Sequence, residues 1–348
     1  MTRRIFCRVL LVVVAVFGLL ALSGVLLAQG NRDWVFEHVK YVQEANTARL
    51  MAMDGVEGTA IGLNENGRLA IKVFTAGPGV AGIPRNIDGV PVEVVVTGKF
   101  YALPKPEKPP GKPDKPPKPE PDETVDPTSR FERPVPIGVS TGNVESNSAG
   151  TIACKVTKGD AVYALSNNHV YALENTASEN SAVLQPGRYD GGTAEDAIGT
   201  LAEYVEIDFE GGDNVVDAAI ALCYAGALGN ATPSDGYGIP NSDTVTASVG
   251  LAVQKYGRTT GLTKGTVSGI GATVNVSYSS GTARFVGQII VEARKPVIKA
   301  GDSGSLLVTD PDKYPVGLLF AGNGNGKLAV ANPIDLVLEA FEVSIDGE

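Results

Sequence analysis

The chain has 348 residues, 43% of them hydrophobic and 20% charged, and a formal net charge of −10. That is the composition of a folded protein with room for two domains, and its acidic balance speaks against a nucleic-acid partner. Three cysteines without Cys-x-x-Cys spacing and only two histidines, His38 and His169, exclude a structural zinc site and a histidine-rich metal centre.

Arg3, Arg4 and Arg8 precede an uncharged, mostly apolar run over residues 9–28, the arrangement that directs a chain out of the cytoplasm. The run fits both a cleaved leader (residues 1–30) and a membrane anchor. No cysteine ends it, which removes a lipoprotein reading. Export permits a disulfide between Cys154 and Cys223, and two buried thiols fit equally well.

From residue 33 to about residue 53 apolar side chains recur at helical intervals (Val35, Phe36, Val39, Val42, Leu50, Met51), which predicts an amphipathic helix. Gly58–Leu63 and Leu69–Phe74 flank Asn64-Glu65-Asn66-Gly67, a hairpin signal, and Val90–Val96 reads as a third strand. Residues 33–102 are thus a small α+β domain, either a pro-region or a permanent docking module. His38 reads as an ordinary surface histidine. Residues 103–133 form a linker whose first part is almost wholly proline, lysine and acid, a stiff polyproline spacer.

From residue 134 to 348 short apolar stretches alternate with Gly/Asn/Asp/Ser clusters, and helical periodicity is nearly absent until Pro333–Phe341. The fold class is mainly β: two antiparallel barrels of about six strands each, preceded by the α+β unit. His169 follows the strand-like Ala161–Leu165. Asp217 heads an otherwise apolar strand, where a carboxylate needs a partner that an imidazole N–H would supply. Asp196, Asp208 and Asp213 fall in glycine-rich loops. Ser303 sits in Ala300-Gly301-Asp302-Ser303-Gly304-Ser305, a glycine-framed turn able to expose both a hydroxyl and backbone amides. The order His169, Asp217, Ser303 fits a chymotrypsin-type triad and not an α/β-hydrolase, since no histidine follows Ser303.

On these residues the large domain resembles the trypsin/chymotrypsin-fold serine proteases of bacterial type. Gly301-Asp302-Ser303-Gly304 looks like the nucleophile motif, Asn168-His169-Val170 stands at the histidine motif, and Val216–Ile220 resembles the Asp-Ile-Ala stretch. Lys255–Gly261, followed by Gly265-Thr266-Val267, is similar to the segment before the second barrel of bacterial lytic endopeptidases. With its Gly58-Thr59-Ala60-Ile61-Gly62 strand and Ile87-Asp88-Gly89-Val90-Pro91-Val92 segment, the whole chain further resembles a bacterial group related to the plant narrow-leaf serine protease. The sequence departs from the pattern at Val170, where a cysteine is usual, and at Ser305, where a glycine is usual.

The resemblance implies a serine endopeptidase without cofactor or metal, acting on protein or peptide. Ser303 would be the nucleophile, His169 the base and Asp217 its orienting acid, with the N–H groups of Gly301 and Ser303 as the oxyanion hole. Val297 would lie at the base of a specificity pocket walled by Phe320, Ala321 and Gly322. A Lys255–Asp302 ion pair would hold the oxyanion loop. A catalytically idle scaffold of the same fold and a serine esterase are the competing readings. Both a monomer and a homo-oligomer fit.

Overall fold

The computed structural model describes residues 34–102 and 124–348. The apolar run of residues 9–28 and the proline-rich stretch 104–121 lie outside the described residues. Among the described residues, no helix is long and apolar enough to cross a membrane.

The protein is mainly β, built on two curled sheets. In the first, Ser344–Ile345, Lys155–Lys158, Ala161–Ser166, Ala219–Cys223, Ala197–Tyr204, Ala182–Leu184, Ser140–Asn143 and Gly150–Thr151 lie side by side. Its interior is aliphatic, with Ile137, Ile152, Leu165, Ile198 and Ile220 fully buried. The helix Ile334–Phe341 buries Ile334, Val337 and Phe341 in this same core, so the carboxy-terminal segment leaves the second sheet and adds an edge strand to the first.

The second sheet is organised by one long hairpin, Gly261–Ser277 paired with Thr282–Glu292. Register shifts at three points bend the 17-residue strand, as bulges do. Its first half therefore pairs with Ala252–Gly257, and its second half pairs with Val56–Leu63 of the amino-terminal unit. Strands Leu306–Thr309, Pro315–Asn323 and Leu328–Pro333 complete the wall.

The amino-terminal unit has a helix over residues 34–51 and strands Val56–Leu63, Leu69–Thr75 and Val90–Val96. Asn64 shapes the hairpin, its side-chain oxygen accepting from the N–H of Asn66 and Arg68 while Gly67 takes a φ of 70°. Val39, Val42 and Leu50 are buried against Ile61, Ile71 and Val73, each side chain contributing about 1.5–3 kcal/mol. The unit is continuous with the second sheet, through Gly58↔Val274 and Ile61↔Ile270 on one side and a short strand, Phe100–Ala102, on the other. Gln43 adds a buried tie from the helix, donating to Thr59 Oγ1 and to the Gly271 carbonyl.

The segment just before residue 134 is also docked. Gln185 holds it by donating to the Ser129 carbonyl and accepting from the Phe131 N–H, and Phe131 packs on the first core. Cys154 and Cys223 are both free thiols. Burial pushes the Cys223 thiol up to about 12 and that of Cys154 higher still, so neither is a ready nucleophile.

Candidate active site

His169 lies in a single turn of helix, Asn168–Tyr171, directly after the strand Ala161–Ser166. Asp217 precedes the strand Ala219–Cys223, which pairs with that same strand, so adjacent chain ends present the imidazole and the carboxylate to each other. His169 Nδ1 is 2.5 Å from Asp217 Oδ2, and neither side chain is exposed. Asp217 Oδ1 also accepts from the His169 backbone N–H at 3.2 Å. The main chain of Asp217 is fixed in turn: its N–H donates to Asn332 Oδ1, and its carbonyl accepts from Asn167 Nδ2. The competing acids have other partners. Asp196 binds Arg130, Asp213 binds Arg284, and Asp208 accepts from the Glu210 N–H.

A further group at the carboxylate escaped sequence reading. Tyr278, at the tip of the long hairpin, donates its hydroxyl to Asp217 Oδ2 at 2.8 Å and meets the His169 ring edge-on at 5.9 Å. Burial, then Asp217, push its phenol well above the usual tyrosine range, so it stays a donor. The hairpin tip is clamped by Glu174, whose carboxylate accepts from the N–H groups of Ser279 and Ser280. An aromatic residue within the polar turn Ser277-Tyr278-Ser279-Ser280-Gly281 was the available signal.

Ser303 lies in a turn whose flanking glycines take φ values of 98° at Gly301 and 92° at Gly304. Its Oγ donates to the Phe320 carbonyl at 3.3 Å. His169 Nε2 is buried and without a hydrogen-bond partner. Ser303 and His169 thus share no hydrogen bond here, although the elements that carry them meet at Gly150. A Cβ on Gly150 would stand 2.6 Å from Val170 Cγ2 and 3.1 Å from the Ser303 carbonyl. Val170, buried beside His169, fills the space over this glycine, an apolar contact at the position where a cysteine is usual. The N–H groups of Gly301 and Ser303 make no hydrogen bond among the described residues, whereas that of Gly304 is spent on Leu319. Two donors are therefore left free at the serine.

Lys255 and Asp302 are brought together without solvent exposure, Nζ lying 3.4 Å from Oδ1. Asp302 further accepts from the N–H groups of Thr259, Thr260 and Lys299 and from the Thr260 hydroxyl. Lys255 Nζ also donates to Thr260 Oγ1 and to the Gly261 carbonyl. The residues expected to form a specificity pocket are divided between apolar clusters. Val297 lies in an apolar cluster with Val253 and Ile289, while Phe320 and Ala321 lie in another with Phe100 and Phe285. Gly322 is paired with Tyr101.

Gly304 is the tightest point of the turn. A Cβ there would fall 2.2 Å from the Thr151 carbonyl and 2.3 Å from Ser166 Oγ, at a φ that L-residues avoid. Gly304→Ala is expected to lower stability by about 1–3 kcal/mol, read as a lower urea midpoint at unchanged m. An unaltered midpoint would contradict this contact.

No protein-family model matches the chain, and no curated protein matches it. Among solved structures, it is similar to a glutamic-acid-specific serine protease, with 24% identity, 61% of this chain and 100% of that chain covered, and a TM-score of 0.45. It is similar to Thermobifida fusca Protease A at 19% identity, with 61% and 98% of the two chains covered and a TM-score of 0.45. It is also similar to Cellulomonas bogoriensis chymotrypsin at 22% identity, with 62% and 99% covered and a TM-score of 0.43. The fold is mainly β, and the solved structures it is similar to are serine proteases.

Proposed function

We propose that the protein is an exported serine endopeptidase in which His169, Asp217 and Ser303 act as a triad. The observation that carries this reading is the buried 2.5 Å contact between the one imidazole of the large β region and a carboxylate, beside a glycine-framed serine with free backbone donors. In the reaction Ser303 Oγ forms a bond to the substrate carbonyl carbon while its proton passes to His169 Nε2. The N–H groups of Gly301 and Ser303 hold the oxyanion. The C–N bond then breaks as the imidazolium returns that proton to the leaving amine, and water releases the acyl group by the reverse sequence. For the first step Ser303 Oγ must leave the Phe320 carbonyl for Nε2. Residues 9–28 would deliver the protein beyond the cytoplasm.

Covalent labelling tests the reading. A fluorophosphonate is expected to add one phosphonyl mass to the wild type, on the peptide containing Ser303, and none to Ser303→Ala. A folded wild type that takes no label would leave the scaffold reading.

Tyr278 is a positioning residue within this scheme, since its hydroxyl fixes the oxygen of Asp217 that also meets the imidazole. A hydrogen bond to a charged group is worth about 1.5–3 kcal/mol. Tyr278→Phe is therefore expected to lower kcat about tenfold or more with KM unchanged. A purely structural tyrosine would change the melting temperature and leave that ratio alone.

A further inference from the structure

Extended peptides reach a nucleophile by adding a strand to a sheet edge beside it, the main-chain hydrogen bonds supplying affinity. The edge beside Ser303 belongs to the strand Pro315–Asn323, whose Phe320 carbonyl receives the Ser303 hydroxyl. The next three residues of that edge are already taken. Ala321, Gly322 and Asn323 pair antiparallel with Ala102, Tyr101 and Phe100 of the same chain.

The direction of this strand matters. The acyl part of a peptide precedes its scissile bond, so a substrate must run toward the serine from its amino-terminal side. Phe100–Ala102 faces Asn323 first and Ala321 last, and so runs toward Phe320 and Ser303 in that same sense. Its other edge pairs with Val276 and Ser277, the residues leading to Tyr278 and hence to Asp217. The strand therefore fills the slot between the strand whose Phe320 carbonyl receives the Ser303 hydroxyl and the hairpin whose Tyr278 holds Asp217.

It is held firmly there. Phe100 has no exposed surface and packs edge-on against Phe74 at 5.8 Å, within the cluster that contains Phe285 and Phe320. Asn323 Nδ2 donates to the Thr97 carbonyl just upstream, while its Oδ1 accepts from the Leu328 N–H.

Resting on the reading of Ser303 as the nucleophile, we propose that Phe100–Ala102 occupies the peptide-docking edge as a built-in mimic of the acyl side of a substrate. This form then acts on short acyl donors, such as esters of a single N-acylated residue, and excludes extended polypeptides until the strand leaves. A single-residue acyl group needs only side-chain movement around Ser303. A longer peptide must displace three paired residues and the segment anchored by Phe100.

The test is a length series on the full chain, comparing N-acylated p-nitrophenyl esters of one to four residues. Wild type is expected to show kcat/KM constant within about threefold along the series. Tyr101→Pro/Ala102→Pro, which removes two backbone donors from the strand and leaves Phe100 in place, is expected to gain tenfold or more from one residue to four. Its turnover of the one-residue ester stays unchanged. A tenfold gain with length in the wild type overturns the proposal, whatever the variant does. So does a folded variant that gains nothing. If neither protein takes a fluorophosphonate on Ser303 nor turns over any ester, the nucleophile assignment itself has failed and the proposal falls with it. Labelling with the wrong length profile overturns the occupancy alone.

Discussion

Asp217→Asn is expected to lower kcat about 10⁴-fold while the protein stays folded, the scale of loss seen where an orienting carboxylate is exchanged for its amide. The structure gives the reason atom by atom. Asp217 Oδ2 accepts from both His169 Nδ1 and the Tyr278 hydroxyl, and Oδ1 accepts from the His169 backbone N–H. An amide has one acceptor and one donor for these two positions. With its oxygen facing the ring, its NH₂ opposes the backbone N–H. With its NH₂ facing the ring, Nδ1 must become the acceptor and the imidazole proton moves to Nε2. That tautomer cannot take the proton of Ser303. Peptide or ester hydrolysis checks the loss, and circular dichroism checks the fold. Near wild-type kcat in Asp217→Asn would remove the carboxylate from the mechanism.

Much of this was legible in the sequence, for reasons that differ from residue to residue. His169 and Asp217 can be paired because an apolar strand headed by one acid needs a partner for it, and the large β region holds a single imidazole. The strands Ala161–Ser166 and Val90–Val96 stand within about a residue of their expected ends, since alternation and glycine punctuation mark them locally. Pairing at long range is not written in periodicity. Nothing in Phe100-Tyr101-Ala102 states that its edges will meet Val276 and Ala321, residues more than a hundred positions away. The same holds for Val56–Leu63, which reads as part of a small separate domain and is hydrogen-bonded to the long bent strand. Tyr278 escaped notice because turn tips are normally solvated, whereas here the Glu174 clamp holds the turn and the ring packs on Phe209 and Phe285. Val297 and Phe320 were expected to line one pocket from the family resemblance, Val297 at its base and Phe320 in its wall. A resemblance does not say which apolar cluster a side chain joins, and these two join different ones.

Lys255→Met should have the largest effect on stability. Asp302 and Lys255 have no solvent-exposed surface, and removing the ammonium leaves a buried carboxylate with hydrogen-bond donors but no countercharge. Breaking such a pair costs about 3–5 kcal/mol, a large fraction of the stability of a typical domain. The loss is not confined to folding. Asp302 sits between Gly301 and Ser303 and ties their turn to Thr259, Thr260 and Lys299, so slackening it misplaces both oxyanion donors. One well-placed donor is worth about 10²–10³ in kcat, and the variant is expected to lose at least that much at a temperature where it remains folded. Lys255→Met/Asp302→Asn, which removes both charges, should recover part of the stability, and a double-mutant cycle measures the coupling. Simple additivity in that cycle would show that the two groups do not act as a pair. The pair also sets a pH dependence. Burial pushes the Lys255 ammonium below the usual lysine range, with Asp302 opposing the shift. A lysine depressed in this way binds its proton less tightly when folded than when unfolded, so across the window between the two values its own contribution makes stability rise with pH. The ion pair is lost once pH passes the folded value, and the depressed value already contains that loss. Hydrolysis should therefore fall on the alkaline side, below the pH at which free lysine titrates, while the urea midpoint does not fall with it. A parallel fall of rate and midpoint would assign the alkaline limb to unfolding and take it away from Lys255.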